Sequence, residues 1–139
     1  MHNLNLMSTV TDRKKIVERF FKTFNQRDWE SLPEILTSDC IHGSDFASYQ
    51  GNEIVPHYES FIEGGADSKW HIDRMISEGD VVVVEFRWSS NHVKEMLGIP
   101  PTGKQFELPV VFIIDFDDEK IKRIRAMYSY EKYQQILSQ

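Results

Sequence analysis

The fold is decided by residues 81–116, which read VVVVEFRWSSNHVKEMLGIPPTGKQFELPVVFIIDF. On both sides of a short interruption, apolar residues alternate with other residues, a period of two that is typical of β-strands. The interruption contains Gly98-Ile99-Pro100-Pro101-Thr102-Gly103-Lys104. This run is a stiff corner, because proline fixes φ at about −65° and Gly103 adopts positive φ without steric cost. We therefore predict two long strands joined either at the rim of a pocket or by a plain connection.

Each of the two strands presents an apolar face. In the first strand this face consists of Val82, Val84, Phe86 and Trp88, and Ser90 and His92 follow in phase. In the second strand it consists of Phe106, Leu108, Val110, Phe112, Ile114 and Phe116. Side chains two residues apart lie on the same side of a strand. We expect these faces to line the inside of the sheet, with Ser90 and His92 at the mouth of a cavity.

The rest of the chain is patterned as helices before this stretch and as a strand and a helix after it. We predict a loose polar lead-in over 1–8, helices over 9–27, 29–36 and 52–63, a strand over 70–76, a hairpin at 78–80, a strand over 121–130 and a terminal helix. The first helix has an apolar face from Val10 to Phe24. Helices first and strands after indicate the α+β class, with helices packed on one face of a curved antiparallel sheet.

Composition limits the partners of the chain. Its 139 residues predict a single domain over 1–139. Sixteen basic and 22 acidic residues give a net charge of −6, and no basic patch alternates with aromatic residues, so neither nucleic acid nor a membrane surface is expected as a partner. The single cysteine, Cys40, allows no intrachain disulfide, and no apolar run resembles a signal peptide or a transmembrane helix. We expect a cytoplasmic protein.

The opposite face of the second long strand is also partly apolar. Pro109, Val111 and Ile113 lie on that face, and Ile124 is predicted to join them from the last strand. A sheet that is apolar on both faces needs a second cover. We therefore expect a homodimer formed through this outer sheet face.

Three stretches resemble the SnoaL-like polyketide cyclase family, which belongs to the nuclear transport factor two-like cone-shaped α+β barrels. They are residues 24–29 (FNQRDW), residues 78–81 (EGDV), and Asn91-His92 followed by the corner at 98–104. The third stretch is the most specific, and the resemblance extends from about the first helix to Gln135. It implies a cone-shaped barrel with an apolar pocket for a hydrophobic small molecule.

The resemblance also implies a chemistry. Cyclases of this family close a ring by an intramolecular aldol step on a polyketide ester and use no metal and no cofactor. An aspartate on the last strand is usually the pocket acid or base. Here its place falls at or next to Ser129, within Met127-Tyr128-Ser129-Tyr130-Glu131, and no aspartate is present there.

Three residues are candidates for proton transfer. His92 is in phase with the inward face and matches the family's histidine before the corner, and histidine is a residue type suited to proton transfer; it is otherwise a strand-end histidine bonded to a loop. His42, with Asp45 as an alternative, lies where related ketosteroid isomerases carry a catalytic aspartate; it is otherwise a solvated loop residue. Glu131 would act as an acid or base inside an apolar pocket; it is otherwise a solvated residue at a helix start.

The predicted substrate-binding residues are aromatic side chains of the interior and polar groups at the mouth. They are Phe20, Phe24, Phe86, Trp88, Ser90, Tyr128 and Ser129. Tyr128 and Tyr130 have the opposite phase to Ser129, so only one set can face the cavity. No metal site is predicted, because neither His-x-x-x-His nor Cys-x-x-Cys spacing occurs.

Two functions compete on these grounds. One is a cofactor-free cyclase or isomerase acting next to a carbonyl group. The other is a binding or regulatory module that keeps the hydrophobic pocket without the catalytic aspartate. A scaffold with a filled core is a third interpretation.

Overall fold

The computed structural model describes the backbone of residues 2–138 and the side chains of residues 13–138. Four α-helices, six β-strands and two 3₁₀ turns follow one another in the described chain. The helices are α1 (His2–Gln26), α2 (Leu32–Ile35), α3 (Ile54–Gly64) and α4 (Tyr130–Ser138), and the 3₁₀ turns are Trp29–Ser31 and Gly51–Glu53. The strands are β1 (Leu36–Gly43), β2 (Ser48–Gln50), β3 (Lys69–Glu78), β4 (Val81–Asn91), β5 (Gln105–Asp117) and β6 (Lys120–Met127).

The strands form one six-stranded sheet in the order β2-β1-β6-β5-β4-β3. The predicted α+β class is confirmed. The sheet is curved and unclosed, and it is mixed instead of wholly antiparallel because β1 pairs with β6 in parallel. A parallel pair needs a long connection between its strands. Here α3 and four other strands lie between β1 and β6 in the chain, so the connection is long enough.

The two strands predicted from residues 81–116 are the centre of this sheet. β4 and β5 pair in unbroken register from Val81 with Asp115 to Asn91 with Gln105. Burial alternates along both strands, and the residues predicted to point inward are buried from Val82 to Trp88 and from Phe106 to Phe116. The corner at 98–104 joins the two strands as predicted.

Helix α1 covers the inner face of the sheet with phenylalanine side chains. Phe20, Phe21 and Phe24 are at most 2% exposed, and the Phe24 ring stacks on Trp70 at 3.7 Å between centroids. The helix begins at His2, so residues 2–8, predicted as a loose lead-in, have helical backbone. Met1 and the side chain of Val10 lie outside the described residues. These rings form the core behind the site described below.

Three other boundaries differ from the prediction. The helix predicted over 29–36 is a 3₁₀ turn followed by a four-residue α2, because Pro33 donates no backbone hydrogen bond. The region after it, predicted as irregular or short strand, is the eight-residue strand β1. The last strand ends at Met127 because Ser129 Oγ accepts a hydrogen bond from the Lys132 backbone N–H at 3.0 Å and begins α4.

Candidate functional site

A cavity of about 120 Å³ lies between the inner face of the sheet, α3 and the β1–β2 loop. Its wall is mostly apolar, and aromatic rings contribute the largest share. The apolar lining residues are Phe46, Ala47, Phe61, Trp70, Phe86, Trp88, Leu97, Val110, Phe112 and Ala126. The polar ones are His42, Ser44, Tyr49, His57 and Tyr128, and Gly43 completes the lining. The cavity wall therefore includes two imidazole side chains and three hydroxyl-bearing side chains.

His42 lies deep in this cavity. On β1 the side chains of Cys40 and His42 point inward while Ile41 is exposed, as the alternation of a strand requires. His42 is 5% exposed, its Nδ1 is 2.6 Å from Tyr58 Oη, and its ring meets Phe112 edge-on at 5.2 Å. Burial, and to a lesser degree the neighbouring His57, lowers the pKa of His42 to about 3. The imidazole is therefore neutral at neutral pH.

His57 is the second imidazole of the cavity, and it comes from α3. Its ring stacks on Tyr49 at 3.8 Å and lies 5.7 Å from the ring of His42. Burial lowers the pKa of His57 to about 4. His57 has no partner visible in the sequence and is not among the predicted site residues, although Ile54, His57, Tyr58 and Phe61 have the i, i+3, i+4, i+7 spacing of one helix face. That spacing was the signal that could have placed His57 inside.

The mouth of the cavity is formed by the β1–β2 loop and by residues near the corner. Phe46 is 63% exposed and lies 4.9 Å from Tyr130 and 6.3 Å from Tyr128, measured between ring centroids. Tyr128 lines the cavity, and burial raises the pKa of its hydroxyl, an effect that the Ser44 hydroxyl opposes. Leu97 also lines the cavity and adopts a positive φ of 51°. Aromatic side chains thus flank the entrance.

A family model described as SnoaL-like polyketide cyclase matches residues 15–136. The chain belongs to the SnoaL-like polyketide cyclase family. The match of the family model confirms the resemblance predicted from the sequence. No curated protein sequence matches this member of the family.

Solved structures agree with this family assignment at the level of the fold. TsrD from Streptomyces laurentii is 20% identical, with a TM-score of 0.82 over 91% of this chain and 95% of TsrD. IdmH from Streptomyces antibioticus is 17% identical, with a TM-score of 0.80 over 91% of this chain and 99% of IdmH. A SnoaL-like polyketide cyclase from Agrobacterium tumefaciens is 10% identical, with a TM-score of 0.78 over 88% of this chain and 95% of the other.

His92, the histidine that precedes the corner, lies outside the cavity lining in this SnoaL-like protein. It is fully buried beside the corner. Its Nε2 lies 3.1 Å from the Ile99 carbonyl oxygen, its Nδ1 lies 3.0 Å from Thr102 Oγ1, and its own carbonyl accepts from the Gly103 N–H. Both ring nitrogens have protein partners, so the geometry ties His92 to the corner.

The other polar candidates of this SnoaL-like chain also lie away from the cavity. Ser129 is exposed and caps α4, and Glu131 is exposed in the first turn of α4, 3.5 Å from Gln135 Nε2. Asp45 is exposed in the β1–β2 loop. Ser90 is buried in a chain of hydrogen bonds with Ser68, which also accepts from Trp88 Nε1. Within residues 13–138, no aspartate or glutamate lines the cavity.

Four of the residues predicted for the site do line the cavity, namely His42, Phe86, Trp88 and Tyr128. Phe20 and Phe24 are core residues behind Trp70. Among the described side chains of this family member, no three His, Cys, Asp or Glu residues are grouped so that they could hold a metal ion. No helix in the described part of the chain has the length and hydropathy needed to cross a membrane.

Proposed function

We propose that this chain is a cofactor-free cyclase or isomerase that acts next to a carbonyl group of a hydrophobic small molecule. One observation carries the proposal: two neutral imidazoles, His42 and His57, face one apolar cavity with their rings 5.7 Å apart. A carbonyl oxygen and the hydrogen-bearing carbon beside it need two such groups, one for the oxygen and one for the proton.

The size and lining of the cavity define the kind of ligand. A cavity of about 150 Å³ in another protein holds benzene, so the 120 Å³ found here accommodates about one ring. Aromatic walls at Trp70, Trp88 and Phe112 favour a flat, apolar group. We propose that the reacting end of the substrate enters and that the remainder stays at the mouth beside Phe46.

The chemistry follows from the neutral state of the two imidazoles. One imidazole accepts the proton from the carbon next to the carbonyl, and the other donates a hydrogen bond to the oxygen of the resulting enolate. The enolate carbon attacks a second carbonyl of the same molecule and forms a carbon–carbon bond. The new alkoxide takes the proton back from the imidazolium, so the product has the composition of the substrate.

A binding module without catalysis is the second candidate, and a specific observation favours it. No carboxylate lines the cavity within residues 13–138, and the burial that keeps both imidazoles neutral also weakens them as bases. Both candidates require ligand binding, and only the enzyme converts the ligand. Turnover is therefore the measurement that distinguishes them.

The deciding experiment measures binding and turnover of a panel of neutral one-ring dicarbonyl esters, in each of which the attacked carbonyl carbon is placed so that the aldol step closes a six-membered ring. For the enzyme, His57→Gln is expected to lower kcat by about 100-fold or more while the Kd changes little, as for other acid–base groups. His71→Gln, which removes a histidine bonded to Ser89 outside the cavity, is the matched control and should retain turnover. Binding without turnover by the unmodified protein would establish the binding module instead.

A further inference from the structure

Tyr58 and His42 form a buried pair at the inner end of the cavity. Tyr58 is 1% exposed, and its ring is enclosed by Phe24, Trp29 and Trp70 at 5.6–6.0 Å between centroids. Within the described residues, the Tyr58 hydroxyl has one hydrogen-bond partner, His42 Nδ1, at 2.6 Å. Nδ1 is therefore the one acceptor that the described residues offer to the hydroxyl proton.

The direction of this hydrogen bond follows from the donors and acceptors that the two neutral groups offer each other. Burial raises the pKa of Tyr58 well above its ordinary value, so the hydroxyl keeps its proton. A buried hydroxyl that does not donate loses the free energy of that hydrogen bond. A neutral imidazole has one donor and one acceptor nitrogen. If Nδ1 accepts from Tyr58, the imidazole proton must be on Nε2.

The other ring nitrogen of His42 faces the cavity. Nε2 has no protein hydrogen-bond partner among the described residues. It is also not one of the fully buried side-chain atoms without a partner, so part of its surface is accessible. It therefore reaches the accessible space of the cavity that His42 lines.

We propose that Tyr58 is a positioning residue that fixes the tautomer of His42, so that a protonated Nε2 is presented to the cavity. Where it assigns a role in turnover, this inference rests on the proposed function. A protonated Nε2 donates to the substrate oxygen and cannot take up a proton. His42 is then the group that polarises the carbonyl, and His57 is the group that accepts the proton.

The test is the tautomer of His42, read from the ¹⁵N chemical shifts of its ring nitrogens in the full chain. In the unmodified protein Nδ1 is expected to be unprotonated and Nε2 protonated at pH 7. In Tyr58→Phe, which keeps the ring and removes the hydroxyl, this single tautomer should become a mixture. Tyr133→Phe is the matched control, because it removes another buried tyrosine hydroxyl, bonded to the Met96 carbonyl, and should leave the His42 tautomer unchanged.

A protonated Nδ1 in the unmodified protein would overturn the inference even if Tyr58→Phe did not fold, and so would an unchanged single tautomer in Tyr58→Phe. Turnover gives a second measurement. Tyr58→Phe should lower kcat by about tenfold or more, with KM within about threefold, because one correctly placed hydrogen bond to the oxyanion is weakened. If the tautomers are as expected but no dicarbonyl ester is turned over, the proposed function fails and the role of Tyr58 in setting the tautomer stands.

Discussion

At the scale of single residues, burial decides what His42 and His57 can do. Free histidine changes charge near neutral pH, and on sequence grounds that property made histidine a candidate for proton transfer. In the cavity, burial lowers the pKa of both imidazoles to about 3 and about 4. They are neutral over the whole physiological range, so they work as hydrogen-bond donors and acceptors and not as permanent cations.

This burial makes stability depend on pH. Between pH 6.5 and about 4, the unfolded chain binds a proton at His57 that the folded chain does not, so the free energy of unfolding falls as the pH is lowered. Each such group contributes up to about 1.4 kcal/mol per pH unit in this window. We expect His57→Gln to reduce the slope by that amount in urea unfolding measured at pH 4.5–7. Parallel curves for the two proteins would contradict a neutral buried His57.

The buried histidine of the corner gives a second test at the residue scale. In His92→Ala the Ile99 carbonyl and the Thr102 hydroxyl lose their partner and a void remains, so we expect a loss of about 2–4 kcal/mol of stability. Turnover and ligand affinity, measured well below the unfolding temperature, should change by less than about threefold, since His92 does not line the cavity.

Thr102→Val is the milder companion to that variant. It removes one of the two hydrogen bonds of the His92 ring and should cost about 0.5–1.5 kcal/mol. If instead His92→Ala keeps its stability and loses turnover, the catalytic role predicted from the sequence is correct.

At the scale of elements, the corner and α4 hold one side of the cavity mouth. The hydroxyls of Tyr130 and Tyr133 donate to the carbonyls of Leu97 and Met96 at 2.8 Å, and His92 holds Ile99. The short β1–β2 loop completes the mouth, and its Phe46 is largely exposed. The mouth therefore has one side that is fastened to the core by hydrogen bonds and one that is a surface loop.

This asymmetry predicts a specific role for Phe46. Phe46→Ala should change stability by less than about 0.5 kcal/mol, as expected for an exposed side chain. It should weaken binding of a one-ring dicarbonyl ester by about tenfold, or about 1.4 kcal/mol, through lost apolar contact at the entrance. Calorimetric titration measures this effect, with Val93→Ala, another exposed apolar residue, as the control. Equal affinities in both variants would remove Phe46 from the binding site.

At the scale of the whole molecule, the outer face of the sheet carries exposed apolar side chains. Ile124, predicted to lie there, is fully buried on the inner face opposite Ile114. Ile76 is 52% and Met127 is 51% exposed, and the register places them beside Val83 and Val111 on the outer face. Around them, Arg74 pairs with Glu85, and Arg87 with Asp73 and Glu107. The face is thus a partly apolar surface on which these charged side chains are held in ion pairs.

We propose that this outer face binds a second copy of the chain. Scattering or sedimentation at micromolar concentration should then give twice the mass of one chain. The double variant Ile76→Lys, Met127→Lys should be monomeric and stay folded, because both side chains are exposed in the single chain. A single-chain mass for the unmodified protein would rule the dimer out.

The sequence by itself determined the fold class, the two central strands, the corner and the aromatic interior. These features depend on local patterns: alternation with a period of two, helical spacing of apolar residues, and proline and glycine at a turn. The same patterns led to the family resemblance that the family model confirms. Phe86 and Trp88 could be placed on the inner face from phase alone, because a strand turns alternate side chains to the same side. Phase left open whether Tyr128 or Ser129 faces the cavity, and the structure places Tyr128 there.

Only the tertiary structure decided which polar groups meet. His42 and His57 are fifteen positions apart in the chain and come together because α3 packs over the end of β1. Phase placed His92 on the inward face as well, but the corner folds back and binds both of its ring nitrogens. A side chain's direction is a local property, whereas its burial and partners depend on elements distant in sequence. For that reason the inward phase of the strand residues was predictable, and the partners of the polar side chains were not.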